Sequence, residues 1–171
     1  MTNNIISAPT SYRARGLYIA SSPYSLVTRN TISAGSYYGI ELWFSSNLTV
    51  SHNKVKSAIP TIRLTVSGNS TIYNNLFNGT SSPVSIDSSI IHQNKWNTTL
   101  QTGNNIIGGP YIGGNFYAKP DSSGYSETCA DNNSDGICDL SLTHAPNNTD
   151  YLPLARPPNI TTSLVPVILV H

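Results

Sequence analysis

The amino-acid sequence predicts an all-β fold, a right-handed parallel β-helix of about five coils whose C-terminal cap is an irregular loop. Two observations lead to this prediction. Short apolar segments recur about every 22 residues, and segments rich in Ser, Asn and Gly separate them. The chain of 171 residues has the length of one domain. Because a fixed period places equivalent residues above one another, we expect one coil per repeat, stacked at roughly 4.8 Å.

The first strand of each coil is predicted from segments with alternating aliphatic residues. The leading aliphatic residues are 23, 22 and 22 positions apart, and another aliphatic residue follows each after two positions. Since side chains alternate between the two faces of a strand, both aliphatic residues of a segment face the same side. The predicted interior columns are Leu17, Ile40, Ile62 and Val84, and Ile19, Leu42, Leu64 and Ile86.

A second series of segments ends in asparagine. Each asparagine follows a β-branched residue by three positions and precedes an apolar or aromatic residue by two. We expect these asparagines to stack at a corner, where their backbone can be left-handed and their amides can bond to the next coil. The three predicted columns are Val27, Val50, Ile72, Ile91 and Ile112; Asn30, Asn53, Asn75, Asn94 and Asn115; and Ile32, Val55, Phe77, Trp96 and Tyr117.

The C-terminal part carries a more specific pattern. It reads "GGNFY" (113–117), then an Asp-rich loop (135–139), then "DYLPL" (150–154). In this order, and together with the coils, these segments resemble the NosD-like family of carbohydrate-binding and sugar-hydrolase β-helix proteins, of the archaeal cell-surface type. The resemblance covers roughly residues 10–155 and implies the fold more strongly than an activity. The sequence departs from the family in having fewer coils than is usual.

The chain divides into three predicted parts: coils (1–117), a disulfide-stapled Asp-rich cap (118–155), and a Pro-rich linker with an apolar tail (156–171). The apolar stretch 163–170 is too short to span a bilayer, so no membrane span is expected in this chain. The N-terminal segment of the chain lacks the sequence pattern of a signal peptide. The N-terminal end of the solenoid has no evident cap, so either preceding coils are missing or another subunit covers this end. The second alternative predicts a homo-oligomer or filament through open β-helix ends.

The stretch "CADNNSDGICD" (129–139) places oxygen ligands two positions apart on a tight turn, which is the pattern of a Ca²⁺ loop. Leu142 stands where an EF-hand has its bidentate Glu, so Glu127, Asp121 or Asp150 would have to supply a further ligand. A polar turn without metal is the alternative. The predicted Ca²⁺ ligands are Asp131, Asn133, Asp135, the carbonyl of Ile137, and Asp139.

Two cysteines, Cys129 and Cys138, flank this loop and predict a disulfide in an oxidising compartment. Free thiols in a reducing cell are the alternative. An extracellular or cell-surface location also agrees with seven N-x-[ST] sequons, which predict a glycoprotein. The candidate glycosylated residues are Asn47, Asn69, Asn78, Asn97, Asn132, Asn147 and Asn159.

One outer face of the coils is a candidate polysaccharide-binding surface, because the repeat places aromatic and charged residues on it together. Its residues are Tyr18, Glu41, Trp43, Arg63 and Asp87. Glu41 and Asp87 lie two coils apart, near 10 Å, which is slightly long for a glycosidase pair, so no catalytic residue is assigned. The main prediction is a structural or adhesive surface module. The alternative is a glycan-binding, lyase-like or hydrolase-like domain.

The sequence argues against two further ligands. The net charge is +1 and the nine basic residues are scattered, whereas nucleic-acid binding requires clustered Lys and Arg. The NosD family name raises copper, but the four histidines (His52, His92, His144 and His171) form no motif, and Met1 is the single methionine.

Overall fold

The computed structural model describes residues 1–87 and 92–157. Within them lies one short helix, α1 (Tyr125–Thr128). The strands in chain order are β1 (Ile5–Ala8), β2 (Leu17–Ala20), β3 (Leu26–Thr28), β4 (Thr31–Ala34), β5 (Ile40–Trp43), β6 (Thr49–Ser51), β7 (Lys54–Ser57), β8 (Ile62–Thr65), β9 (Thr71–Tyr73), β10 (Leu76–Gly79), β11 (Val84–Ile86), β12 (Gln101–Thr102), β13 (Tyr111–Ile112), β14 (Phe116–Ala118), β15 (Leu142–Ala145) and β16 (Asn148–Asp150).

Three parallel sheets wind around one core, so the predicted β-solenoid is confirmed. Sheet 1 contains β2, β5, β8 and β11, sheet 2 contains β3, β6 and β9, and sheet 3 contains β1, β4, β7, β10 and β14. Each coil therefore has three strands, one more than the sequence pattern separated. The solenoid completes about four turns, not five.

The interior consists of the predicted aliphatic columns. Ile40 pairs with Ile62 in sheet 1, and Val50 pairs with Ile72 in sheet 2. These four side chains are fully buried. Ile6 on β1 extends the sheet 3 column by one coil toward the N-terminus, since it pairs with Ile32. The strict register explains why the period near 22 is so regular, because a one-residue slip would turn each column outward.

The fourth coil does not follow the predicted repeat. Lys95 bridges Thr71 in parallel, which continues sheet 2. This register puts Trp96 after Ile72 in the sheet 2 column, whereas the sequence pattern assigned it to the column of Phe77. Trp96 is fully buried there. Its bulk fills a position that smaller aliphatic residues occupy in the other coils.

The chain then leaves the solenoid before it completes a fifth coil. Strands β12 and β13 pair antiparallel with each other, so Ile112 is half-buried beside Gln101 and is not a core residue of sheet 2. The chain rejoins sheet 3 at β14, where Tyr117 pairs with Phe77 as predicted. Ile91, the remaining residue of the predicted column, lies outside the described residues. This excursion accounts for the smaller number of turns.

Each of the regular coils has left-handed residues at its corners, but the predicted column asparagines are not among them. At the corner before sheet 3 the positive φ angles belong to Arg29, His52 and Asn74, each directly before a column asparagine. Two more left-handed columns lie between sheets 1 and 2. They consist of Ser21, Phe44 and Val66, and of Tyr24, Asn47 and Asn69. The column asparagines keep negative φ, and the preceding residue turns the chain.

Candidate functional site

A ladder of buried asparagines runs along the corner between sheets 2 and 3. The side-chain oxygen of Asn53 accepts hydrogen bonds from the backbone N–H and the amide of Asn30, at 3.0 and 2.9 Å. Asn53 in turn donates both groups to Asn75, and Asn75 donates both to Asn115. Asn4 starts the ladder with the same pair of bonds to Asn30. The prediction that amides link successive coils is therefore confirmed for these rungs.

The fourth predicted rung, Asn94, is not part of this ladder. Its side-chain oxygen accepts from the backbone N–H of Ser70, and its amide donates to the oxygen of Asn148 in the cap. The ladder passes directly from Asn75 to Asn115 across 40 residues of sequence. The difference follows from the register of the fourth coil, in which Asn94 lies before sheet 2 instead of before sheet 3.

The ladder ends on a carboxylate that sequence reasoning did not identify in this role. Asp150 Oδ2 accepts from the backbone N–H of Asn115 at 2.8 Å and from the Tyr117 hydroxyl at 2.9 Å, while Oδ1 accepts from the N–H of Leu152. Asp150 is fully buried. A Cβ on Gly114 would lie 2.0 Å from Asp150 Oδ1, so glycine is required there. The segments "GGN" and "DYLPL", which carry the resemblance, are therefore in direct contact.

Two more residues join Asp150 in a buried polar group. His144 Nε2 lies 3.0 Å from the Tyr117 hydroxyl, and the His144 ring packs against Trp96 with 4.6 Å between centroids. Because Tyr117 donates to Asp150, it accepts from His144 Nε2–H. Trp96 Nε1 donates to Asn148 at 3.1 Å. We call Asp150, Tyr117, His144 and Trp96 the cap cluster.

Burial shifts the titration of the cap cluster in opposite directions. Burial raises the pKa of Asp150 to about 7, although the donated hydrogen bonds partly oppose this shift. Burial lowers the pKa of His144 to about 4, since it disfavours the imidazolium. Burial and the neighbouring carboxylate raise the pKa of Tyr117 well above its usual value. Near neutral pH, His144 is therefore an uncharged hydrogen-bond donor inside the protein.

The Asp-rich loop is closed by the predicted disulfide between Cys129 and Cys138, with 5.6 Å between the Cα atoms. The segment after Asp150 fastens this loop to the solenoid. Cys138 N–H donates to the carbonyl of Pro153, and Leu154 N–H donates to the carbonyl of Asn115. One extended segment therefore connects the ladder end with the disulfide loop.

The candidate Ca²⁺ ligands lie on the same loop, where their oxygens accept local hydrogen bonds. Asp131 accepts from the backbone N–H of Asp135 and of Gly136. Asp135 accepts a hydrogen bond from the N–H of Ile137, and Asp139 accepts one from the backbone N–H of Asn132. The further ligands considered for the site are used elsewhere. Glu127 binds Arg156 at 2.9 Å, Asp150 ends the ladder, and Asp121 accepts from Ser123.

The candidate glycan face lies on sheet 1 and has a buried centre. Glu41 pairs in register with Tyr18 and Arg63, as the repeat predicts, yet only 2% of it is exposed. Arg15, which sequence reasoning did not single out, forms an ion pair with Glu41 and stacks on the Tyr18 ring at 4.8 Å from its centroid. Its position in the loop before β2 gave no periodic signal. The Glu41 carboxylate therefore forms ion pairs with Arg15 and Arg63 and does not face solvent.

The rest of this face is aromatic and more open. Tyr18 is 48% exposed and Trp43 is 38% exposed. Arg63 stacks on Tyr38 and donates to its hydroxyl. Asp87 follows β11 at the far edge of the sheet, one position beyond Ile86. The structure thus brings Tyr18, Glu41 and Arg63 together and leaves the exposed aromatic rings beside them.

The candidate glycosylation sites differ in how their amides are held. Asn47, Asn69 and Asn147 are exposed on left-handed turns. Asn97 accepts from the backbone N–H of Tyr151, and the Asn132 amide donates to Asp139. The remaining two sites are Asn78, which is half-buried, and Asn159, which lies outside the described residues.

The described histidines lie in separate places. His52 occupies a corner and meets Tyr73 edge-on at 5.8 Å, and burial together with Arg29 lowers its pKa. His92 packs against Gly68, while His144 is in the cap cluster. In residues 1–87 and 92–157, no group of three or more His, Cys, Asp or Glu residues is placed to hold a metal ion.

Comparison with known proteins agrees with the architecture. A family model described as "Periplasmic copper-binding protein (NosD)" matches residues 1–122. No curated protein and no solved structure matches the chain. Within the described ranges, no helix is long and apolar enough to cross a membrane. Since the match covers 122 of the 171 residues and includes every parallel strand of the described residues, the chain belongs to the NosD family.

Proposed function

We propose that this chain is an extracellular structural or adhesive β-helix module with a disulfide-closed, calcium-binding C-terminal cap. The observation that carries the proposal is the continuous ladder from Asn4 to Asp150. Its buried amide and carboxylate side chains join successive coils and fasten the cap, as a scaffold requires. Buried polar groups with satisfied hydrogen bonds favour one rigid arrangement.

The disulfide supports the proposed location, because such bonds persist in oxidising compartments outside the cytosol. The experiment is to alkylate free thiols in the producing cells before lysis and to measure the mass of the chain. We expect both Cys129 and Cys138 to escape alkylation. Alkylation of both in the native protein would contradict an extracellular location.

An adhesive role has a direct assay. Beads coated with the folded chain should adhere to the surface of producing cells more than beads coated with the heat-unfolded chain. The matched control is a chain with Asp150→Ala, which we expect to loosen the cap but keep the outer faces of sheets 1 and 2. Equal adhesion of folded and unfolded chains would contradict the adhesive role and leave a structural one.

The calcium proposal concerns Asp131, Asn133, Asp135, the Ile137 carbonyl and Asp139. Hard oxygen ligands closely spaced on one loop suit Ca²⁺, and the disulfide already restrains the loop ends. Thermal unfolding of the full chain should shift upward with Ca²⁺ and downward with EDTA. Asp131→Asn should abolish the shift, whereas Asp121→Asn outside the loop should keep it. No shift in the wild-type chain would contradict a site.

A second candidate function is glycan binding by the sheet 1 face. The exposed rings of Tyr18 and Trp43 beside Arg63 support it, because sugars stack on aromatic rings and accept from guanidinium groups. A glycan array with the wild-type chain and with Trp43→Ala tests the idea, and Tyr24→Ala on another exposed turn is the control. Binding that survives Trp43→Ala would contradict this face as the site. Turnover of uronate polysaccharides would add an enzymatic function.

The open N-terminal end supports a proposal of self-association. β1 is an edge strand of sheet 3, and Ile5 on it is 89% exposed. Edge strands offer unpaired backbone groups to another chain. Light scattering should show a mass that rises with concentration, and an Ile5→Lys variant should remain a monomer. A strict monomer at high concentration would contradict the proposal.

Copper, which the family description names, does not fit the described residues. Both cysteine sulfurs are bonded to each other, and the three described histidines lie on separate elements. Copper binding usually requires several thiolate, thioether or imidazole ligands that converge on one point. We therefore derive no copper chemistry for this chain.

A further inference from the structure

A polar groove separates the last coil from the cap hairpin. Its main part has a volume of about 750 Å³ and adjoins a smaller cavity of about 270 Å³. Gln93 and Lys95 line both parts. Asn69 lies at the coil side of the groove, and Asn147 and Tyr151 lie at the cap side. The groove thus runs between two sequon asparagines that are far apart in sequence.

Several polar side chains in this groove make no hydrogen bond or ion pair within the fold. Among the described residues, no hydrogen bond or ion pair involves the Gln93 amide, the Lys95 ammonium or the Tyr151 hydroxyl. The side-chain amides of Asn69 and Asn147 also form no hydrogen bond with another described residue, and both residues are exposed. This contrasts with the sheet 1 face, where Glu41 and its arginines satisfy one another.

A third sequon asparagine at the groove is held in place by the fold. Asn97 accepts from Tyr151 N–H at 3.2 Å and its amide donates to the Thr98 carbonyl. The other described sequons outside the groove are also restrained, apart from Asn47 at the corner next to Asn69. The side-chain amide of Asn132 donates a hydrogen bond to Asp139, and the side-chain oxygen of Asn78 is buried. A glycan on any of these three would disrupt the surrounding structure.

We propose that Asn69 and Asn147 carry N-linked glycans whose first sugars occupy this groove. The amide nitrogen would bond to the anomeric carbon of a sugar, and the bond from that carbon to a phosphate oxygen of a lipid-linked glycosyl donor would break. One amide proton leaves with the phosphate group. Sugar hydroxyls would then bond to Gln93 and Lys95, and a sugar ring would stack on Tyr151. The inference rests on the proposed extracellular location.

Glycopeptide mass spectrometry of the full chain from its producing cells, alkylated before lysis, tests the inference. We expect glycan on Asn69 and Asn147 and none on Asn78, Asn97 or Asn132. Disulfide-bonded chain with bare Asn69 and Asn147, or with glycan on Asn97, would overturn the inference alone. Alkylated cysteines without any glycan would overturn the extracellular location as well.

Matched variants separate a modification site from a structural residue. Asn69→Gln and Asn147→Gln should each lower the mass of the secreted chain by one glycan and leave the fold of the unmodified chain unchanged. Asn97→Gln should leave the glycan mass unchanged and lower the melting temperature, because it disturbs the contact with Tyr151. A glycan loss in Asn97→Gln equal to that in Asn69→Gln would overturn the assignment.

Discussion

The two ends of the solenoid finish the same ladder in different ways. At the C-terminal end, the carboxylate of Asp150 accepts four hydrogen bonds from Asn115, Tyr117 and Leu152 and is fully buried. At the N-terminal end, Asn4 is exposed, and no described residue donates to its side-chain oxygen. One end is locked by side chains from the cap, and the other is open.

The comparison shows why the last rung is an aspartate. Every asparagine in the ladder needs a carbonyl or another amide to accept its N–H groups. Beyond Asn115 the described residues form no further coil, so an amide at position 150 would bury N–H groups without acceptors. A carboxylate only accepts and therefore suits the final rung. Its cost is the burial of an ionisable group, which appears as the raised pKa of Asp150.

The largest effect is expected from Asp150→Ala. It would leave buried donors on Asn115, Tyr117 and Leu152 unpaired, and each unsatisfied donor costs about 1–3 kcal/mol. We expect a loss of about 3–5 kcal/mol in the free energy of unfolding, measured by urea titration. Asp150→Asn keeps one acceptor oxygen and should lose less. An Asp150→Ala chain as stable as the wild type would show that the cap does not lock this end.

The disulfide should contribute the next largest effect. Replacing both Cys129 and Cys138 by Ser removes the constraint on the loop in the unfolded chain, which in the chain-entropy model is worth about 2–3 kcal/mol. Reduction of the wild-type chain should give the same loss of unfolding free energy. If the double variant kept its stability, the hydrogen bonds of Pro153 and Leu154 alone would hold the cap.

The same comparison shows what could be predicted from the sequence. The columns through Ile40, Ile62 and Val50 were predictable, because strand alternation and stacking repeat at fixed spacing. The position of Trp96 was not, since its Asn94 has the local pattern of a ladder rung. Only the pairing of Lys95 with Thr71, a long-range contact, places that segment in sheet 2.

Some of the candidate sites could be predicted from the sequence and others could not. The alignment of Glu41 with Arg63 followed from the repeat spacing, and the disulfide was predicted from two cysteines that flank one polar loop. The cap cluster did not, because Asp150 and His144 meet Tyr117 across 33 and 27 residues without any repeat to connect them. The one available signal was "DYLPL" itself, in which a charged residue directly precedes an apolar segment.

The cap cluster should also give the two ends different pH responses. The pKa of Asp150 in the folded chain is raised to about 7, so the folded state binds this proton more tightly than the unfolded state. The stabilisation that comes from protonating Asp150 is full below about pH 4 and is lost as pH rises to 7. The folded pKa of His144 is lowered to about 4, so its contribution is full above pH 6.5 and is lost as pH falls. Between pH 4 and 6.5 the two contributions oppose each other.

Single variants separate these contributions. With His144→Gln, the free energy of unfolding should fall as pH rises from 4 to 7, by at most about 1.4 kcal/mol per pH unit. With Asp150→Asn, it should rise between pH 4 and 6.5. Urea titrations at several pH values measure both slopes. Parallel pH profiles for the two variants would contradict the assignment of opposite roles.

The smallest effect is expected at the open end. Asn4→Ala removes the amide bond to Asn30, but water can replace it at an exposed rung, so we expect a loss of about 0.5 kcal/mol. Asn53→Ala is the matched control inside the ladder. It leaves the N–H groups of Asn30 buried without their acceptor and should cost several times more. Equal losses in the two variants would mean that a further chain covers the N-terminal end in solution, because only burial makes an unpaired amide costly.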